Sequence, residues 1–112
     1  MSNQALEEIA AERQRQISGE GWTPEHDDTH KMGELARAAS VYAFCAADAV
    51  SPEVARSQGA SFLPPFDWPW SPEWFKPTNR RRDLVKAGAL IVAEIERLDR
   101  LAAKAGDGAN EI

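Results

Sequence analysis

The sequence has a single cysteine, Cys45, in 112 residues. That excludes an internal disulfide and a thiolate cage for zinc, and makes a reducing, cytosolic setting the expectation. No apolar run approaches the roughly 20 residues that a membrane-spanning helix needs. The N-terminus also lacks the basic-then-apolar order of a signal peptide. No stretch alternates apolar and polar residues over a strand's length, and there is no internal repeat or low-complexity tract. Basic charge is in short supply: 13 Lys+Arg against 18 Asp+Glu leave a net charge of −5. A chain so acidic is a poor candidate for coating DNA or RNA, and with no apolar run long enough to span a membrane, neither nucleic acid nor membrane is an expected partner.

What is present suits one folded domain over residues 1–112. At 43% hydrophobic and 28% charged, the chain is too apolar to stay disordered. Charge is unevenly spread. Residues 1–30 hold seven acids and two bases (−5), whereas residues 80–104 hold seven bases and four acids (+3). The two ends should attract each other, which suits antiparallel helix packing.

Three helices are expected. Leu6, Ile9, Ala10, Arg13 and Ile17 recur at three-to-four spacing, which predicts an amphipathic helix over about 3–17, stopped by Ser18-Gly19 and then Gly21. The second follows a cap at Asp27, Asp28 or Thr29 and runs to about Val50, with Met32, Leu35, Ala36, Ala39, Tyr42, Ala43 and Ala46 on one face. The third starts near Thr78-Asn79 and runs to about Ala105, where Gly106 ends it and 106–112 form a flexible tail. Its Leu84, Ala87, Gly88, Ile91, Ile95, Leu98 and Leu101 repeat at near-heptad spacing, a face suited to a bundle or a homo-oligomer seam.

Residues 51–78 differ in kind. Six of the seven prolines fall there, along with Trp68, Trp70 and Trp74. Ser51-Pro52-Glu53 and Ser71-Pro72-Glu73 both show the order of cap, first-turn proline and acid, so each should open a short helix. The expected architecture is all-α: a bundle of three main helices joined by a Pro/Trp-rich crossover.

Two clusters carry candidate chemistry. Arg80, Arg81 and Arg82 stand in a helix's first turn, where the dipole disfavours cations. Either a nearby acid such as Asp67 or Glu73 offsets them, or a bound anion does. With Trp68, Trp70 and Trp74 just upstream, a phosphate-plus-base ligand is the functional alternative. His26 and His30 flank Asp27 and Asp28, a spacing that could hold a metal or could simply cap a helix. Cys45, among alanines, reads as a small buried apolar residue.

Two resemblances add to this reading. Glu12-Arg13-Gln14-Arg15-Gln16, Glu20 to Asp28, Gly33-Glu34-Leu35-Ala36, Trp68-Pro69-Trp70 and Arg81 to Ala87 resemble a recurring family of small phage and prophage proteins. That resemblance implies a viral origin. The segments His30 to Ala36 and Asp83 to Lys86 resemble the two acidic motifs of MazG-like all-α nucleoside triphosphate pyrophosphohydrolases, whose carboxylates hold Mg²⁺ on a triphosphate. Glu34 and Asp83 keep acids of that pattern, while Lys31 and Lys86 replace others. The resemblance implies that Lys31, Glu34, Asp83 and Lys86, with Arg80 to Arg82 nearby, line a nucleotide-phosphate cleft.

Three functions follow as expectations. One is a nucleotide-binding phage protein that sequesters its ligand, requires no cofactor and is not an enzyme. Another is a Mg²⁺- or Mn²⁺-dependent hydrolase of modified nucleotides, with Glu34 and Asp83 as catalytic candidates. The third is a helical interaction protein that blocks a partner.

Overall fold

The computed structural model describes residues 3–49 and 68–110. Among these residues there are helices and no strand, the all-α architecture that the sequence predicts. No helix is long and apolar enough to cross a membrane. The remainder of the crossover, including Ser51-Pro52-Glu53, lies outside the described residues, as do residues 111–112 of the expected tail.

Helix α1 spans Gln4–Glu20 and is capped by Asn3, whose side chain accepts the Leu6 N–H at 3.2 Å. It passes through Ser18-Gly19, the first part of the expected stop. It ends at Gly21, the second part of that expected stop, whose φ of 76° lies in the left-handed region that closes helices. A short helix, α2 (Pro24–Asp27), follows at once, with Thr23 Oγ1 accepting the His26 N–H. Asp27 and Asp28 therefore belong to α2 and its end, and do not cap the next helix as expected. Proline at the first helical position claims that turn earlier in the chain.

Helix α3 (Glu34–Phe44) starts after Gly33, which adopts φ 79°. The Glu34 carboxylate turns back to accept the Met32 N–H at 2.6 Å. Met32 is thus outside the helix and 79% exposed, not on its core face. A π-helical turn, Cys45–Ala49, extends α3, and Cys45 is buried as expected.

Further on, Pro72–Trp74 form a single 3₁₀ turn, as Ser71-Pro72-Glu73 predicts. Helix α4 (Arg80–Asn110) is the longest. Asn79 Oδ1 accepts the Arg82 N–H and Asp83 Oδ1 accepts the Thr78 N–H, both at 2.9 Å, so the start matches expectation. The end does not, because α4 continues past Gly106 to Asn110. A glycine in a helix costs about 1 kcal/mol but does not by itself break the hydrogen-bond ladder.

Helix α3 runs antiparallel to α4: Arg80 Nε donates to the Ala46 carbonyl at one end of the pair, and Lys86 lies over the Tyr42 ring further along. Small residues allow a close approach, with Ala38 and Ala39 buried in the same cluster as Ala87, Leu90 and Ala93. Trp68 closes that core. Helix α1 packs on α4 at Gly88, where a Cβ would come within 2.8 Å of Ile9 Cδ1. Glycine is what lets the two helices meet there.

Ion pairs fasten the rest. Arg81 pairs with Glu8, Arg82 with Glu12 and Arg100 with Asp28. The acidic N-terminal region and the basic C-terminal helix do attract each other. Glu8 and Glu12 supply the acids that offset Arg81 and Arg82.

Candidate aromatic cleft

A cleft of about 390 Å³ opens between the α1–α2–α3 corner and the 3₁₀ turn, within the range of small-molecule sites. Its walls are Trp22, Trp70 and Trp74, with Leu35 beneath and Glu20, His26, Asp27, His30 and Ser71 supplying polar groups. The local sequence explains each placement. Gly21 reverses the chain at the end of α1, and the Trp22 N–H returns to the Gln16 carbonyl at 3.0 Å, which fixes that indole. The capped turn of α2 then presents His26 and Asp27, while the His30 N–H donates to the Asp27 carbonyl.

The opposite wall is set by Trp68. Its indole N–H donates to the Ser71 carbonyl at 3.1 Å, folding the Trp68–Trp74 segment back on itself. Trp68 stands edge-on to Trp70 at 5.4 Å and to Tyr42 at 5.7 Å. Trp68 is therefore core, and Trp70 is the ring it holds in the cleft. Trp70 meets Trp22 at 5.7 Å with the planes tilted by 55°, so the two indoles form a corner. His30 packs on Trp70 at 5.1 Å and on His26 at 5.0 Å.

Two buried polar atoms of the lining have no hydrogen-bond partner among the described residues: Asp27 Oδ1 and Trp70 Nε1. The other Asp27 oxygen accepts from Arg13, which also donates to the Trp22 carbonyl at 3.2 Å. Burial pushes the Asp27 carboxyl above its ordinary range, and the Arg13 charge opposes that rise without cancelling it. The cleft thus joins one buried acceptor and one buried donor, each without a partner among the described residues, to aromatic walls.

Beside it lies a cavity of about 30 Å³ that shares Glu20, Trp22 and Trp74 with the cleft and adds Arg15, Lys76 and Lys86. These cations are already engaged. Arg15 bonds Glu12 and Glu20, Lys76 lies 3.7 Å from Glu20, and Lys86 Nζ donates to the Lys76 carbonyl at 2.6 Å. Burial, the largest influence on Lys86, lowers its pKa.

The residues implied by the MazG-like resemblance do not converge. Lys31 is exposed in the turn before α3 and is not on the helix with Glu34. Glu34 faces His30 at 3.8 Å and influences Arg97, whereas Asp83 influences Tyr42 and Cys45. Antiparallel pairing thus puts Glu34 and Asp83 near opposite ends of the α3–α4 pair. The 14 residues from Asp83 to Arg97 span about 21 Å along the helix. Nor do His26, Asp27, Asp28 and His30 close on one point: Arg13 takes Asp27 and Arg100 takes Asp28 at 2.8 Å. No group of three or more His, Cys, Asp or Glu is arranged to hold a metal ion among the described residues. Arg80, Arg81 and Arg82 bond Ala46, Glu8 and Glu12, away from the cleft. Of the sequence-level candidates, His26, Asp27, His30 and Trp70 line it, and Lys86 lines the adjoining cavity. Trp74, expected beside Trp68 and Trp70 as a base-stacking ring, also lines the cleft, whereas Glu20 and Trp22 were missed as site residues. No protein-family model, curated protein or solved structure matches this chain.

Proposed function

We propose that this protein binds a nucleotide or nucleoside, with the base in the aromatic cleft, and sequesters it without hydrolysis. One observation carries the reading: the cleft joins three indoles to a buried carboxylate that still has a free acceptor. Indole faces stack bases, each contributing about 1–3 kcal/mol by alanine substitution. Asp27 Oδ1 is an acceptor for a base N–H, and Trp70 Nε1 is a donor for a carbonyl or ring nitrogen. Sequestration is favoured over hydrolysis because Glu34 and Asp83 lie too far apart to share a Mg²⁺ or Mn²⁺ ion. The phage resemblance fits a small binder of this kind acting in the host cytoplasm. Titration with nucleoside monophosphates should quench tryptophan fluorescence. Trp74→Ala, at a ring 41% exposed and so tolerant of truncation, should weaken binding at least about tenfold with the melting temperature nearly unchanged. Absence of quenching at millimolar ligand overturns the reading.

A second reading rests on a separate observation. Leu84, Ile91, Ile95, Leu98 and Leu101 of α4 are each 47–57% exposed, and all but Leu101 fall on one stripe. An antiparallel second copy, its two-fold axis level with residue 93, would set Ile91 against Ile95, with Leu84 and Leu98 of the stripe on either side. That self-matching register supports a homodimer. It also carries Arg80 and Arg81 toward the partner's helix C-terminus, where cations are favoured. Sedimentation should show a dimer at tens of micromolar and a monomer for Ile91→Glu. A monomeric wild type at that concentration removes this interface.

A further inference from the structure

The same cleft constrains the charge of what it takes. Its lining holds two carboxylates, Glu20 and Asp27, and no lysine or arginine among the described residues. The three indoles add the negative faces of their π systems. Trp22 and Trp70, tilted at 55°, offer such faces from two directions around one corner. The protein itself sets a cation over the third ring, since Lys76 Nζ lies 5.3 Å from the Trp74 centroid.

Asp27 adds the decisive feature. It is 1% exposed and paired by Arg13 through one oxygen only. The partnerless Oδ1 is the kind of buried acceptor that is costly to leave unmet. A neutral ring could stack on the indoles and offer an N–H, but it would place no charge over the negative indole faces, and the cations that pair Glu20 and Asp27 are not part of the cleft lining. A cationic ring meets both demands together.

Resting on the nucleotide-binding reading, we infer that the preferred ligand carries positive charge on its base: a flat, N-alkylated or ring-protonated heterocycle rather than an ordinary neutral nucleobase. Its ring charge is held over Trp22 and Trp70, and its N–H edge donates to Asp27. Arg13 behind Asp27, and Arg15 and Lys76 behind Glu20, weaken the field without entering the cleft lining.

Fluorescence titration of the full chain with N7-methylguanosine and guanosine tests this. The methylated nucleoside should bind at least about tenfold more tightly, which corresponds to about 1.4 kcal/mol. Glu20→Gln, whose side chain is partly exposed, and Asp27→Asn should each cut that preference by about threefold or more. Two substitutions are used so that a folding defect in the buried one does not block the test. Equal affinity for the two nucleosides overturns the charge inference while leaving nucleotide binding standing. A preference that survives both substitutions also overturns it. Binding of neither nucleoside removes the underlying reading as well.

Discussion

Arg13→Ala is expected to lower folding stability by about 3–5 kcal/mol, the range for removing one partner of a buried ion pair. Arg13 is 4% exposed and Asp27 1%. The guanidinium bonds Asp27 of α2, the Trp22 carbonyl of the connecting turn and Glu96 of α4, so one side chain of α1 ties three segments together. Alanine leaves Asp27 buried beside a cavity without its ion-pair partner. Its carboxyl, already raised by burial, then rises further and takes up a proton. The sign of the pH dependence follows. A group whose folded pKa exceeds its unfolded value stabilises at low pH, and that contribution is lost as pH rises through the folded pKa. The variant's deficit should therefore be largest near neutrality and shrink on acidification toward pH 5. Urea melts at several pH values check both points. A loss under 1 kcal/mol, or a deficit that grows on acidification, would show that Arg13 is not the clamp.

That clamp was only half legible in the sequence. The opposite charge of residues 1–30 and 80–104 announced that the two ends would meet, and Arg81–Glu8, Arg82–Glu12 and Arg100–Asp28 are the outcome. Helical periodicity likewise located α1, α3 and α4, because apolar spacing is a property of the local chain. Boundaries were less secure. Asp27, Asp28 and Thr29 offered a plausible cap, yet Thr23-Pro24 claimed the turn first and Gly33 supplied the real start of α3. The site was hardest to read. His26, Asp27, His30 and Trp70 stood out by residue type, but Trp22 and Trp70 meet through a tertiary contact that no local pattern encodes. The cleft expected between the paired acidic motifs does not form for a related reason: the α3–α4 register depends on which alanines nest together, and it separates Glu34 from Asp83.

Tyr42 connects that packing to the cleft, and Tyr42→Ala should cost about 3–5 kcal/mol, as large aromatic truncations do. The ring is buried in α3, touching Trp68 at 5.7 Å and Phe75 at 5.3 Å, and Lys86 lies 5.7 Å from its face. Its hydroxyl accepts the Lys76 N–H at 3.0 Å, anchoring the segment after the 3₁₀ turn. Trp68 in turn holds Trp70, so losing the Tyr42 ring should loosen the cleft wall and weaken ligand binding, even at temperatures where the variant stays folded. Tyr42→Phe separates the two contributions: it keeps the ring and gives up only the hydrogen bond, at about 1 kcal/mol, with binding retained. The phenol also reports on burial. Burial, the main cause, pushes its pKa up to about 12. Ionisation thus favours the unfolded chain, whose tyrosine titrates near pH 10. Stability should be fully present below pH 10 and fall by an amount on the order of 2–3 kcal/mol as pH rises toward 12. Tyr42→Phe should remove that alkaline component. An identical alkaline loss in Tyr42→Phe, or a Tyr42→Ala variant that binds ligand as tightly as wild type, would break the proposed link between core and cleft.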